Sequence, residues 1–126
     1  MVFGIGTDIL DRGRLDRGLD AAFIKSVYTD AEIAQAEARR EPRAYYATRF
    51  AAKEAVLKAV SVCLSDFRPR EIETLSDENG RPSACLHGKT ADEVNAYLNG
   101  RTYQLLVSMS CEDKTAIAYC VAQTLE

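Results

Sequence analysis

Apolar and polar positions repeat along this chain with two different periods, and the change from one to the other divides it. From residue 102 to 110 the period is two, with Tyr103, Leu105, Val107 and Met109 on one side, and the same alternation returns over 115–123. A period of two marks half-buried strands; residues 111–114 read as the turn of a hairpin between them. Residues 2–8 are a short strand in which Gly4 and Gly6 imply close approach of another backbone. Residues 11–26 read as helical pieces. Thr29 is an N-cap for a helix over 30–40, with Glu32 at the capping-box position. Pro42 opens a long helix through residue 60. Residues 71–75 and 82–86 read as strands around the turn Asp77-Glu78-Asn79-Gly80. A helix over 90–98 ends at Asn99-Gly100. Helices come first and strands mainly last, so the expected fold class is α+β with an antiparallel sheet.

A length of 126 residues predicts one domain spanning 1–126. No apolar run approaches the roughly 20 residues that span a bilayer, and Asp8, Asp11 and Arg12 interrupt any signal peptide. A cytoplasmic protein with no membrane partner is expected. Residues 1–60 hold ten Lys and Arg against nine Asp and Glu, and residues 61–126 hold six against ten. That balance argues against a nucleic-acid partner. Basic side chains do cluster at Arg12, Arg14 and Arg17, and at Arg39, Arg40 and Arg43. They read either as solvated helix surface among Asp11, Asp16 and Asp20, or as a docking patch for an acidic partner. Cys63, Cys85, Cys111 and Cys120 form no C-x-x-C pair and no zinc-ligand spacing with the single His87. They are expected to be reduced thiols, mostly packed.

The chemistry concentrates in Arg49-Phe50-Ala51-Ala52-Lys53-Glu54-Ala55-Val56-Leu57-Lys58-Ala59. A helix this apolar should be mostly buried, and a buried charge is costly unless it is paired or holds an ion. Glu54 and Lys58 stand one turn apart, as do Arg49 and Lys53. Taken singly, these features have ordinary readings. Glu54 and Lys58 could be an exposed ion pair worth about 0.3–0.5 kcal/mol, Asp8 a helix cap, and Gly4-x-Gly6 a tight turn. Taken together they are more specific. Asp8 from a strand end and Glu54 from a buried helix supply the few carboxylate oxygens that Mg²⁺ takes beside substrate phosphates. Lys58 would neutralise the remaining phosphate charge. This is equipment for phosphoryl-type transfer by positioning and electrostatics. There is no P-loop, so nucleoside triphosphate hydrolysis is not indicated.

Four segments carry a family resemblance: Gly4-Ile5-Gly6-Thr7-Asp8-Ile9, Arg49-Phe50-Ala51-Ala52-Lys53-Glu54-Ala55 with Lys58, Asp77-Glu78-Asn79-Gly80-Arg81-Pro82, and Val107-Ser108-Met109-Ser110. In this order they resemble the holo-acyl-carrier-protein synthases, the small single-domain 4′-phosphopantetheinyl transferases. The resemblance implies transfer of 4′-phosphopantetheine from coenzyme A to a serine of an acyl carrier protein. It implies Asp8 and Glu54 as Mg²⁺ ligands and Lys58 as the phosphate-binding, catalytic lysine. It also implies Arg49, Lys53 and Gly80 along the coenzyme A site, and a homotrimer with sites shared between subunits. Arg14 and Arg17 would meet the acidic carrier.

Two positions depart from the family pattern. The late Ser-x-Ser-His motif reads Ser108-Met109-Ser110-Cys111, so a thiol stands where a cofactor-binding imidazole is usual. The acid after the first motif is Asp11 rather than Glu. A thiol is a weak donor, so Cys111 is expected to hold coenzyme A less well. A second reading follows from Cys111: an impaired homologue that grips carrier or coenzyme A without transfer.

Overall fold

The computed structural model of the protein describes residues 1–125. Strand β1 (Val2–Asp11) leads into α1 (Arg12–Gly18), α2 (Ala21–Val27), α3 (Asp30–Glu37) and the long α4 (Pro42–Val60). Then follow β2 (Ile72–Ser76), β3 (Pro82–Leu86), α5 (Gly88–Tyr97), β4 (Tyr103–Cys111) and β5 (Thr115–Thr124). β1, β5 and β4 form an antiparallel sheet in that order, and β2 pairs with β3 as a separate hairpin. The class is α+β, as the pattern predicts.

α4 begins and ends where its sequence signals put it. β1 runs three residues beyond its predicted end because Ile9, Leu10 and Asp11 continue the ladder opposite Ile117, Ala116 and Thr115. The helical stretch after it is broken in two. Asp11 caps α1 by accepting from the Gly13 amide, and Asp20 caps α2 by accepting from the Phe23 amide. The capping box at Thr29 and Glu32 forms as expected, although α3 stops at Glu37.

Small residues set the distance between helix and sheet. Ala51, Ala55 and Ala59 of α4 are buried with Ala116, Ala118 and Ala122 of β5. β1 comes closer still. A Cβ built on Gly4 would lie 1.7 Å from the Ala59 carbonyl oxygen, and one on Gly6 would lie 1.9 Å from that of Ala55. Only glycine permits this approach. Side chains on a strand alternate between faces, so Asp8 follows Gly4 and Gly6 on the face turned to α4.

The opposite face of the sheet is apolar and open. Ile5 and Ile9 are each 72% exposed, and Leu106 and Tyr119 are exposed beside them. A second core, built on Tyr28, Tyr45 and Tyr46, joins α3 to α4. Of the four free thiols, Cys120 is buried, Cys63 and Cys111 are half-buried and Cys85 is exposed, so Cys85 is the exception among thiols expected to be mostly packed. Among the described residues no helix is long and apolar enough to cross a membrane.

Candidate active site

β1 and α4 bring Asp8, Glu54 and Lys58 together. The Lys58 Nζ donates to the Thr7 carbonyl at 2.9 Å and to Asp8 Oδ1 at 3.4 Å. Lys58 therefore bridges to the strand rather than to Glu54 within its own helix. Asp8 caps no helix, since Asp11 has that role. Burial, and then the neighbouring Asp8 carboxylate, push the Glu54 carboxyl up from its ordinary range, while Lys58 offsets part of the rise. A carboxyl held up by burial and by a neighbouring carboxylate is relieved by a cation between the two. Hard oxygen donors, few in number and beside a lysine, fit Mg²⁺.

Arg49, Gly80 and Cys111 meet elsewhere. They line one cleft of about 460 Å³ with Arg39, Arg40 and Tyr45. The Arg49 guanidinium lies 4.1 Å above the Tyr45 ring and donates to Thr48 Oγ1, Met109 Sδ and Ser76 Oγ. Its buried Nε has no partner. Three arginines lining one cleft, Arg39, Arg40 and Arg49, are equipment for an anion. Arg39 stacks on the same ring at 4.8 Å. Arg39 and Arg40, which with Arg43 form a basic cluster open to readings as solvated surface or docking patch, thus stand in this cleft, a placement that spacing alone does not signal.

Lys53 is not on that cleft wall, contrary to the expectation from the motif. It is fully buried, and its Nζ donates to Glu32 Oε1 at 2.7 Å and to the Pro69 and Ile72 carbonyls. Burial lowers its pKa, and Glu32 opposes that fall. Glu32 also accepts from the Thr29 and Thr74 amides. Lys53 thus ties α4 to α3 and to the hairpin, and it steadies the helix that carries Arg49 and Glu54.

Strand order keeps the two clusters apart. Asp8 lies on β1, while Met109 and Cys111 lie on β4, with β5 between them. Two inter-strand spacings amount to about 10 Å. Arg14 and Arg17 are both exposed on α1.

An α+β chain with a basic cleft and a paired-carboxylate cluster fits a phosphoryl-type transferase. Residues 4–120 match the model of the 4′-phosphopantetheinyl transferase superfamily, and the chain belongs to that superfamily. It is 34% identical over 125 residues to a holo-[acyl-carrier-protein] synthase of Clostridium acetobutylicum, covering 98% of each chain. It is similar to the crystal structure of the Neisseria meningitidis holo-[acyl-carrier-protein] synthase, with a TM-score of 0.82 and 32% identity, over 98% of this chain and 100% of the other. It is also similar to the Bacillus anthracis enzyme solved in complex with coenzyme A (3′,5′-ADP), with a TM-score of 0.79 and 26% identity over 99% of each chain.

Proposed function

We propose that this chain is a single-domain holo-acyl-carrier-protein synthase. It transfers 4′-phosphopantetheine from coenzyme A to a serine hydroxyl of an acyl carrier protein. A new ester bond forms between the serine oxygen and the β-phosphorus, the pyrophosphate bond breaks, and adenosine 3′,5′-bisphosphate leaves. The observation that carries this reading is the convergence of Lys58 with Asp8, at 3.4 Å, beside the raised carboxyl of Glu54.

Each residue then has a task. Asp8 and Glu54 would hold Mg²⁺, which supplies charge stabilisation on the pyrophosphate. Lys58 is half-exposed, so its ammonium is free to leave Asp8 and neutralise the departing phosphate. Arg49 would bind a phosphate of coenzyme A in the cleft, where Gly80 and Cys111 line the wall. The acceptor for the serine proton is a nearby water or the Glu54 carboxylate itself. The exposed arginines of α1 steer the acidic carrier inward. The reaction belongs in the cytoplasm.

The homotrimer is part of this proposal. The open face with Ile5, Ile9, Leu106 and Tyr119 is an apolar surface suited to subunit contact. Separation of the two clusters by β5 supports a site in which one subunit gives the carboxylates and its neighbour the cleft.

Mass spectrometry of an apo-carrier protein incubated with the chain, coenzyme A and Mg²⁺ tests the function. A mass gain of one phosphopantetheine is expected. Carrier binding without a mass gain would replace this reading with the impaired homologue that Cys111 favours.

A further inference from the structure

Cys85, His87 and Glu73 point their donor atoms at one spot on the outside of the β2–β3 hairpin. The ladder sets Glu73 directly opposite Cys85, so the two side chains share a face. His87 comes two residues after Cys85 and returns to that face. The His87 Nε2 lies 3.0 Å from Glu73 Oε1 and 3.4 Å from Cys85 Sγ, and Cys85 Sγ lies 3.8 Å from Glu73 Oε1. The cluster is far in sequence from Asp8 and Glu54, and nothing in the proposed transfer uses it.

We propose that these three residues form a Zn²⁺ site, held by Cys85, His87 and Glu73 with the fourth position open to solvent. Zinc bonds of about 2.0–2.3 Å at tetrahedral angles require donors roughly 3.3–3.6 Å apart. The observed triangle brackets that range. Sulfur and imidazole select zinc over Mg²⁺, which prefers oxygen, so the site differs in kind from the carboxylate pair. The outer support is present as well. Thr29 Oγ1 donates to the other Glu73 oxygen at 2.6 Å, the kind of contact that fixes a ligating carboxylate. Cys85 is exposed and the His87 side chain is 51% exposed, which leaves room for an ion to enter and for water to complete its coordination.

A nucleophilic Cys–His–Glu relay does not fit the same atoms. A relay sets the thiol on one ring nitrogen and the carboxylate on the other. Here both face Nε2. Burial, and then the Glu73 carboxylate, push the Cys85 thiol up, opposite to what a poised nucleophile needs. Zinc reverses that by stabilising the thiolate. Bound there, it would clip β2, β3 and the start of α5 together, at the end of the hairpin away from the Gly80 turn.

The purified full chain, kept in excess Mg²⁺ so that hard-oxygen sites are filled, is titrated with Zn²⁺ by calorimetry and with Co²⁺ by absorption. One equivalent should bind. Co²⁺ should give a thiolate charge-transfer band and the strong visible bands of four-coordination. Cys85→Ser should abolish the charge-transfer band, and both it and His87→Gln should weaken Zn²⁺ by tenfold or more. Zn²⁺ should also protect Cys85 of the unaltered chain from alkylation, mapped by peptide mass, which holds even if a variant fails to fold. Absence of binding, a charge-transfer band that survives Cys85→Ser, or alkylation of Cys85 at an unchanged rate under saturating Zn²⁺ would each overturn the site.

Discussion

The ammonium of Lys53 and the carboxylate of Glu32 meet at 2.7 Å with neither side chain exposed to solvent. Removing one partner strands a buried charge. Lys53→Met should therefore cost about 3–5 kcal/mol of folding stability, read by urea unfolding. Replacing both, with Lys53→Met and Glu32→Gln, should cost less than the two single losses together, because no charge is then left alone. At temperatures where Lys53→Met remains folded, its Michaelis constant for coenzyme A should match that of the unaltered chain. A large selective rise in that constant would return Lys53 to the cofactor site.

Gly6→Ala should be among the most damaging single-methyl changes in the molecule. The added Cβ would sit 1.9 Å from the Ala55 carbonyl oxygen, which belongs to helix backbone and cannot swing aside. β1 must then move off α4, at a cost on the order of 1–3 kcal/mol or more. Asp8 lies two residues along the same strand and moves with it. Thermal melting should show the destabilisation, and activity should fall further than the folded fraction does. Activity that tracks the folded fraction alone would mean that the strand's position does not set the site.

Glu54→Gln should make the protein more stable and less active. The folded chain holds the Glu54 proton to higher pH than the unfolded chain, because burial and Asp8 raise its pKa. Between the unfolded value, about 4.3, and the raised folded value, the native state binds more protons. Stability therefore falls as pH rises through that window, and the deficit persists above it. Glutamine does not ionise. In Mg²⁺-free buffer above the window the variant should melt higher, and the difference should vanish as pH drops below the window. Mg²⁺ should narrow the gap by stabilising the unaltered protein. Activity should drop on the order of 100-fold, as when one electrostatic contact to the transition state is lost, and Asp8→Ala should behave alike. Near-normal turnover of both variants at limiting Mg²⁺ would remove the metal assignment.

Arg14→Glu and Arg17→Glu act on encounter rather than chemistry. Both side chains are exposed on α1, so reversing either should raise the carrier's Michaelis constant roughly tenfold at low salt through lost steering. The effect should shrink as salt screens the charges. Coenzyme A binding should stay as it was. A carrier constant that ignores the substitutions at low salt would move the docking face elsewhere.

Local signals carried much of this molecule. Pro42 and the alanine-rich apolar pattern mark α4 to the residue, and the period-two segments became β4 and β5. The glycines of β1 announced a close backbone, and α4 is what they approach. What stayed hidden depends on partners distant in sequence. Spacing sets Lys53 beside Arg49 on a helix, but burial under Glu32, 21 residues earlier, is a tertiary fact. The same holds for Arg39 and Arg40, which read as solvated surface or docking patch until the cleft against Gly80 and Cys111 forms. The strand order that parts Asp8 from Cys111, and the register that sets Glu73 against Cys85, have no signature in single-chain periodicity.

Cys111→His should improve coenzyme A binding. Cys111 ends β4 and lines the cleft that also holds Arg49, at the position where the related motif carries an imidazole. Imidazole is a stronger donor than a thiol, and it is cationic when protonated. One charge-assisted hydrogen bond to a phosphate adds roughly 1.5–3 kcal/mol, equal to about ten- to a hundredfold in affinity. The opposing term is overpacking, about 1–3 kcal/mol if the site has closed around sulfur. The cleft is open, at about 460 Å³, and Cys111 is only half-buried, so a ring has space and the gain should win. It should be larger near pH 6 than near pH 8, because the bond is strongest to the imidazolium. The Michaelis constant and turnover for coenzyme A in both proteins, with the melting temperature as control, decide it. A variant that stays folded with neither constant improved would show that the thiol, or Arg49 beside it, already holds that phosphate.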